Sequence, residues 1–243
     1  MHNIKQAFIF AAGRGERMKP LTEKIPKPLI PIHNRPIIEY IIDKLLKIPT
    51  IQKIVINTFY LADQIEKYVK SLNNPKIIIS FESEKLETGG GLFYAQNLFD
   101  KDQPLLLING DILWFDSKVN AISQLYDAFS KNNCEIMLGL KNKTDFEGYD
   151  GIGDFSLNDN QQLSKKDVNQ YAFTGLQIIS PKALIAKNIK QKSFSMSYFY
   201  QNSLDKNNVL QNIKGIELEG RFFHIGNVPA IARTEYLTKS LIF

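Results

Sequence analysis

Four short stretches combine the residue types that phosphate and metal chemistry requires. In Ala11-Ala12-Gly13-Arg14-Gly15-Glu16-Arg17-Met18, two small residues and two glycines let the backbone approach a ligand closely and take positive φ. Successive N–H groups in such a turn form an anion nest, and Arg17 and Lys27 can add charge-assisted bonds to phosphate oxygens. The stretch is neither a G-x-x-x-x-G-K-[ST] loop nor a G-x-G-x-x-G fingerprint, and a plain strand-to-helix turn has the same composition. Ile25-Pro26-Lys27-Pro28-Leu29-Ile30-Pro31-Ile32 carries three prolines around one lysine. Proline fixes φ, so Lys27 is expected on a stiff extended segment that aims its ammonium at a phosphate; the alternative is a solvated lysine in a loop. Asn109-Gly110-Asp111 offers a carboxylate behind a glycine, which suits a hard divalent cation or an Asx turn. Leu86-Glu87-Thr88-Gly89-Gly90-Gly91 puts three glycines at a helix start. The expectation there is close approach of a flat or anionic ligand, the alternative a flexible loop.

Hydrophobic periodicity indicates how these stretches are held. Apolar or β-branched runs predict strands over 7–12, 53–57, 76–81, 104–108 and 134–140. Apolar residues at helical spacing predict helices over 37–48, 61–72, 91–99 and 115–132. Strands of five or six residues alternating with helices imply a Rossmann-like α/β architecture: a mostly parallel sheet with helices on both faces. In such a sheet, ligands bind beyond the carboxyl ends of the strands, where the turn after 7–12 and Asn109-Gly110-Asp111 both fall. After residue 140 the pattern changes. Gly148, Gly151 and Gly153 suggest a hairpin region, followed by a strand over 171–179, a helix beginning over 181–188, a strand over 222–225 and a closing helix over 228–241. The expected organisation is a single domain, 1–243, with a small added β region.

Composition bounds the rest. The 243 residues are 44% hydrophobic, 23% charged and 11% aromatic, which excludes a disordered chain. No stretch approaches the ~20 apolar residues of a membrane span. One cysteine, Cys134, allows no internal disulfide, and nothing near the start reads as a signal peptide; the expected location is cytoplasmic. The net charge of +5 is mostly scattered lysine. Its one local concentration lies between Ala11 and Pro28, where Arg14, Arg17, Lys19, Lys24 and Lys27 face only Glu16 and Glu23. No aromatic-interleaved basic groove accompanies it, so neither nucleic acid nor membrane is expected as a partner. The three histidines, His2, His33 and His224, form no acid–base set.

In combination, 11–18 through Pro26-Lys27-Pro28-Leu29, Asn109-Gly110-Asp111 and Tyr171-Ala172-Phe173-Thr174-Gly175-Leu176 resemble the signature of sugar-phosphate nucleotidyltransferases, the nucleoside-diphosphate-sugar pyrophosphorylases. The resemblance runs nearly end to end, without the hexapeptide repeats of the β-helix many members carry. It implies a GT-A-like nucleotidyltransferase fold and transfer of a nucleoside monophosphate from a nucleoside triphosphate to a sugar 1-phosphate, with release of pyrophosphate. UTP and N-acetylmuramic acid 1-phosphate are the expected pair, which would connect the reaction to sugar nucleotide biosynthesis and peptidoglycan recycling. Mannose 1-phosphate guanylylation, glucose 1-phosphate thymidylylation or uridylylation, choline-phosphate cytidylylation and nucleotide binding with impaired catalysis stand as alternatives. By the same resemblance, Ala11, Ala12, Gly13, Arg14, Gly15 and Arg17 would hold the triphosphate, and Lys27 would contact the α-phosphate and the sugar phosphate. Glu82, Glu87, Thr88 and Gly89 would face the base; Asn109, Gly153 and Thr174 would lie along the sugar. Asp111 would bind Mg²⁺. The family's second metal ligand, an aspartate in a late V-D-V-G motif, is replaced here within Phe222-Phe223-His224-Ile225-Gly226 by His224, a nitrogen ligand that suits Mn²⁺ or Co²⁺ better than Mg²⁺. A monomer or homodimer is expected.

Overall fold

The computed structural model describes residues 3–185 and 189–242. The described residues form fourteen strands and seven α-helices. Through the first half these are β1 (Gln6–Phe10), β2 (Pro31–Ile32), β3 (Arg35–Pro36), α1 (Ile37–Leu46), β4 (Lys53–Thr58), α2 (Ala62–Ser71), β5 (Ile77–Phe81), α3 (Glu87–Tyr94), β6 (Leu105–Asn109), β7 (Ile112–Phe115) and α4 (Ala121–Lys131). The remainder contributes β8 (Ile136–Asn142), β9 (Phe146–Glu147), β10 (Ser156–Leu157), β11 (Gln162–Ser164), β12 (Tyr171–Ile179), α5 (Pro181–Ile185), α6 (Ser197–Gln201), β13 (Val209–Glu217), β14 (Arg221–His224) and α7 (Val228–Ile242).

Nine strands form one sheet in the order β10-β11-β13-β8-β12-β6-β1-β4-β5. The pairings leave only β11 and β12 running against the rest, and β6, β1, β4 and β5 are parallel neighbours. The mostly parallel α/β sheet expected from the periodicity is therefore present. Side chains alternate across it, as strand geometry requires. Ala7 and Ile9 of β1 pack with Ile41, Leu45, Ile65 and Leu125 of α1, α2 and α4. Phe8 packs on the other face with Leu92 of α3 and Phe199 and Tyr200 of α6. A second sheet, β7-β14-β9, is the added β region. A third apolar cluster, including Met18, Ile30, Ile32, Leu113, Phe223 and Ile225, fastens the segment after β1 to it.

Several boundaries differ from those expected, each for a local reason. The helix placed over 91–99 begins at Glu87 and holds the three glycines inside it, against their low helix propensity. The helix placed over 115–132 begins only at Ala121, because Asn120 caps it by accepting the Ser123 N–H at 3.0 Å; the preceding apolar run is β7. The glycines 148–153 make no hairpin: β9 runs parallel to β14, and the hairpin is β10–β11. β13 was not signalled, since Asn212 takes φ 60° and breaks its alternation. Of the helix begun over 181–188, the last three residues lie outside the described ones, as does His2.

Candidate active site

β1 lies between β4 and β6 with Phe10 opposite Asn57 on one side and Asn109 on the other. The three strands end together, and the order of addition reverses at β1: β4 and β5 follow it on one side, and the chain then crosses back to place β6 on the other; this is the switch-point crevice of an open parallel sheet. A cavity of about 340 Å³ opens there, within the size range of small-molecule sites. Of the residues singled out in the sequence, Ala11, Ala12, Gly13, Gly15, Arg17, Lys27, Glu82, Glu87, Thr88, Asn109 and Asp111 all line it.

The turn after β1 is shaped by its glycines. Gly15 takes φ 64°, and a Cβ there would lie 2.7 Å from Thr22 Cγ2; the Thr22 hydroxyl donates to the Gly15 carbonyl at 2.9 Å. A Cβ on Gly13 would meet nothing within 4 Å, so its backbone borders open space. Arg17 is exposed on the cavity wall. Lys27 opens a single 3-10 turn, Lys27–Leu29, rather than the extended segment its prolines suggested. Pro26 is extended at φ −64° and ψ 142°, and Pro28 continues the turn because a φ near −65° serves either conformation.

Lys27 Nζ donates to Asp111 Oδ2 at 2.5 Å. Gly110 makes this possible: its N–H donates to the Phe10 carbonyl at 2.9 Å, and a Cβ there would lie 2.4 Å from that oxygen. β14 pairs with β7 so that His224 stands opposite Ile112, which brings His224 Nε2 to 3.5 Å from Asp111 Oδ2. Gly226 leaves room for the imidazole, since a Cβ there would lie 2.6 Å from its Cε1. Burial alone would raise the Asp111 carboxyl, but the Lys27 ammonium and the His224 ring outweigh it and hold the group well below the usual carboxylate range. Among the described residues, no group of three or more His, Cys, Asp or Glu is gathered for a metal. The Asp111 carboxylate on the cavity wall, with the His224 imidazole beside it, nevertheless fits a divalent cation that takes most of its ligands from substrate oxygens and water.

On the opposite wall Glu82 is 2% exposed. Burial raises its carboxyl above the ordinary range, against hydrogen bonds from Asn57 and the Leu86 N–H. Glu87, with φ 60°, pairs with Lys85 at 2.5 Å on the rim. Thr88 Oγ1 accepts the Met196 N–H at 2.9 Å.

Five residues given a site role from the sequence, Arg14, Gly89, Gly153, Thr174 and His224, do not line the cavity, nor do Gly90 and Gly91. Arg14 lies over the Phe59 ring, 5.6 Å from its centroid. Gly89 is buried in α3, where a Cβ would strike the Phe194 ring. Gly90 faces the Lys192 carbonyl and Gly91 the Glu82 carboxylate in the same way, so the glycine triplet serves close protein packing and not ligand approach. Gly153, at φ 95°, abuts the Asn169 carbonyl. Thr174 is fully buried in a bulge of β12, its hydroxyl donating to the Gly139 carbonyl at 2.8 Å. His224 stands behind Asp111, tilted against Phe146. Conversely, Asn57 and Lys85 line the cavity without having been singled out, and Glu16 and Gly226, which belong to the quoted motifs, line it without having been given a role. Asn57 carried a readable signal, a polar residue closing the apolar run of β4 just as Asn109 closes β6.

Comparison with known proteins places the chain among relatives. A family profile described as nucleotidyl transferase matches residues 6–165. N-acetylmuramate alpha-1-phosphate uridylyltransferase from Caulobacter vibrioides is 28% identical over 234 residues, 93% of either chain. D-glycero-alpha-D-manno-heptose 1-phosphate guanylyltransferase from Aneurinibacillus thermoaerophilus is 27% identical over 227 residues, 91% of this chain and 93% of that one. The structure of the inositol-1-phosphate CTP transferase from T. maritima superposes with a TM-score of 0.78 at 18% identity, covering 99% of this chain and 98% of that one.

Proposed function

The chain belongs to the nucleotidyl transferase family, and on that premise we propose that it transfers UMP from UTP to N-acetylmuramic acid 1-phosphate, releasing pyrophosphate. Sugar-phosphate nucleotidyl transfer is the activity common to its relatives; the choice of UTP and of this acceptor rests on the full-length likeness to the Caulobacter vibrioides uridylyltransferase. The observation that carries the reading is one cavity with two unlike walls: the glycine turn with Arg17, Lys27 and Asp111 on one side, and Glu82, Glu87 and Thr88 on the other. The first wall suits a triphosphate and the second a base.

In the proposed mechanism an oxygen of the sugar 1-phosphate attacks the α-phosphorus in line and pyrophosphate leaves. The transition state is loose and charged, so positioning and charge stabilisation supply most of the catalysis. The N–H groups of 11–15 bind the phosphates, Arg17 holds the leaving pyrophosphate, and Lys27 bridges the α-phosphate and the acceptor phosphate. Asp111 and His224 would hold a divalent cation, Mg²⁺ or more readily Mn²⁺ or Co²⁺, which when bound neutralises phosphate charge. No covalent protein intermediate is required.

The test is pyrophosphate release with UTP, GTP, CTP and dTTP against a panel of sugar 1-phosphates. Turnover fastest with UTP and N-acetylmuramic acid 1-phosphate supports the proposal; turnover confined to another pair replaces it. A second reading, guanylyl transfer, has one observation in its favour: a buried carboxylate such as Glu82 can accept from both N–H donors on the pairing edge of guanine.

A further inference from the structure

Asn57 joins the two walls of the cavity. It lies next to the end of β4, opposite Phe10 of β1, and is 2% exposed. Its Oδ1 accepts the Ala11 N–H at 2.7 Å, and its Nδ2 donates to Glu82 Oε1 at 2.7 Å. These bonds cannot be exchanged. A backbone N–H only donates, so the amide oxygen must face Ala11, which leaves only the NH₂ group for Glu82. A flipped amide would set N–H against N–H at Ala11 and oxygen against the carboxylate. Gly91 keeps the arrangement possible, since a Cβ there would lie 2.4 Å from Glu82 Oε1 and 2.8 Å from Asn57 Nδ2.

We propose that Asn57 is a positioning residue that holds Glu82 as a hydrogen-bond acceptor toward the base, so that the site takes bases presenting a ring N–H and rejects those presenting a bare ring nitrogen. This rests on the reading that a nucleoside triphosphate fills the cavity. Uracil, thymine and guanine offer a ring N–H on the pairing edge; cytosine and adenine offer a lone pair at that place. A lone pair set against a buried acceptor leaves two polar groups unpaired, which discriminates more strongly than shape alone. Because the same amide is tied to Ala11, the first residue of the glycine turn, base choice and phosphate placement share one support.

Calorimetric binding of UTP, dTTP, GTP, CTP and ATP to the natural chain and to Asn57→Asp, Asn57→Ala and Glu82→Gln tests this, with the Tm of each protein recorded. The natural chain should bind at least one of UTP, dTTP and GTP at least about tenfold tighter than CTP and ATP, the worth of one hydrogen bond to a charged group. Asn57→Asp and Asn57→Ala should bring that ratio below about threefold. A residue that merely stabilises the fold would lower Tm and weaken all five nucleotides together; an unchanged ratio in folded variants overturns the proposal. Should neither Asn57 variant fold, Glu82→Gln decides, because its amide donates as well as accepts. A gain of about tenfold for CTP relative to UTP supports the proposal, and an unaltered ratio defeats it. A natural chain that binds CTP or ATP as tightly as the others overturns the inference and leaves the nucleotide reading standing. Binding of none of the five removes that reading and the inference with it.

Discussion

Lys27 and Asp111 already neutralise each other across 2.5 Å, so an arriving triphosphate must share the ammonium with the carboxylate. Lys27→Ala is expected to remove a charge-assisted phosphate contact of about 1.5–3 kcal/mol and to lower kcat/KM at least roughly tenfold. Steady-state kinetics showing unchanged kcat/KM and unchanged UTP affinity would remove Lys27 from the site. His224 is neutral or positive where a carboxylate would be negative, and a unit charge at contact distance is worth on the order of 4 kcal/mol at a partly screened dielectric. His224→Asp is therefore expected to raise turnover with Mg²⁺ relative to Mn²⁺ and Co²⁺. A metal series on both proteins checks it; equal Mg²⁺ preference would mean that residue 224 does not face the cation. Cys134 is a contrasting case. Burial pushes its thiol up to about 11, so at pH 7–8 it stays protonated and poorly nucleophilic. Its alkylation by iodoacetamide should be slow near neutrality and should rise only as pH approaches 11, with Cys134→Ser retaining activity. Rapid labelling at pH 8 in the folded protein would contradict that assignment.

At the scale of elements, α3 and α4 show how local chemistry and packing divide the work. Asn120 ends the loop after β7 by capping α4, and Asn120→Ala should cost about 0.5–2 kcal/mol. Urea unfolding should register the loss, while kcat stays unchanged because the cap is absent from the cavity wall. In α3 the order of influence reverses. Three glycines form a helix because α3 must lie against the Phe194 segment and Glu82: the Gly90 N–H donates to the Phe194 carbonyl at 2.9 Å, and the Phe194 N–H donates to the Leu86 carbonyl at 3.1 Å.

At the scale of the whole molecule, one ligand in this cavity would touch the ends of β1, β4 and β6 together with α3. Binding therefore couples to the most buried part of the sheet. UTP at 100 times its Kd should stabilise the fold by about 2.7 kcal/mol, which for a chain of this size corresponds to a Tm rise of roughly 5–10 °C. Differential scanning fluorimetry checks it, and a Tm that ignores UTP at millimolar concentration would argue against this cavity as the nucleotide site. Among the described residues, no helix is long and apolar enough to cross a membrane.

Much of this architecture is legible in the residues themselves, because period-two and period-3.6 apolar patterns report directly on which faces are buried. The strand pattern of β1 with its glycine turn, the closing Asn109-Gly110-Asp111 and the β12 segment could all be located that way. Chemistry carried by backbone geometry was visible in part: Gly15 takes the positive φ that glycine permits, but the prolines around Lys27, whose φ near −65° fits helical and extended backbone alike, did not reveal the 3-10 turn. Only the tertiary structure decided who faces whom. The pairing of β7 with β14 sets His224 beside Asp111 across 113 positions of sequence, and no local pattern encodes a contact of that separation. It also turned Thr174 and Gly89 inward to satisfy a carbonyl and a ring, and set Asn57 between Ala11 and Glu82. Those roles depend on which polar atoms are left unpaired once the sheet is assembled, and that accounting exists only in the folded chain.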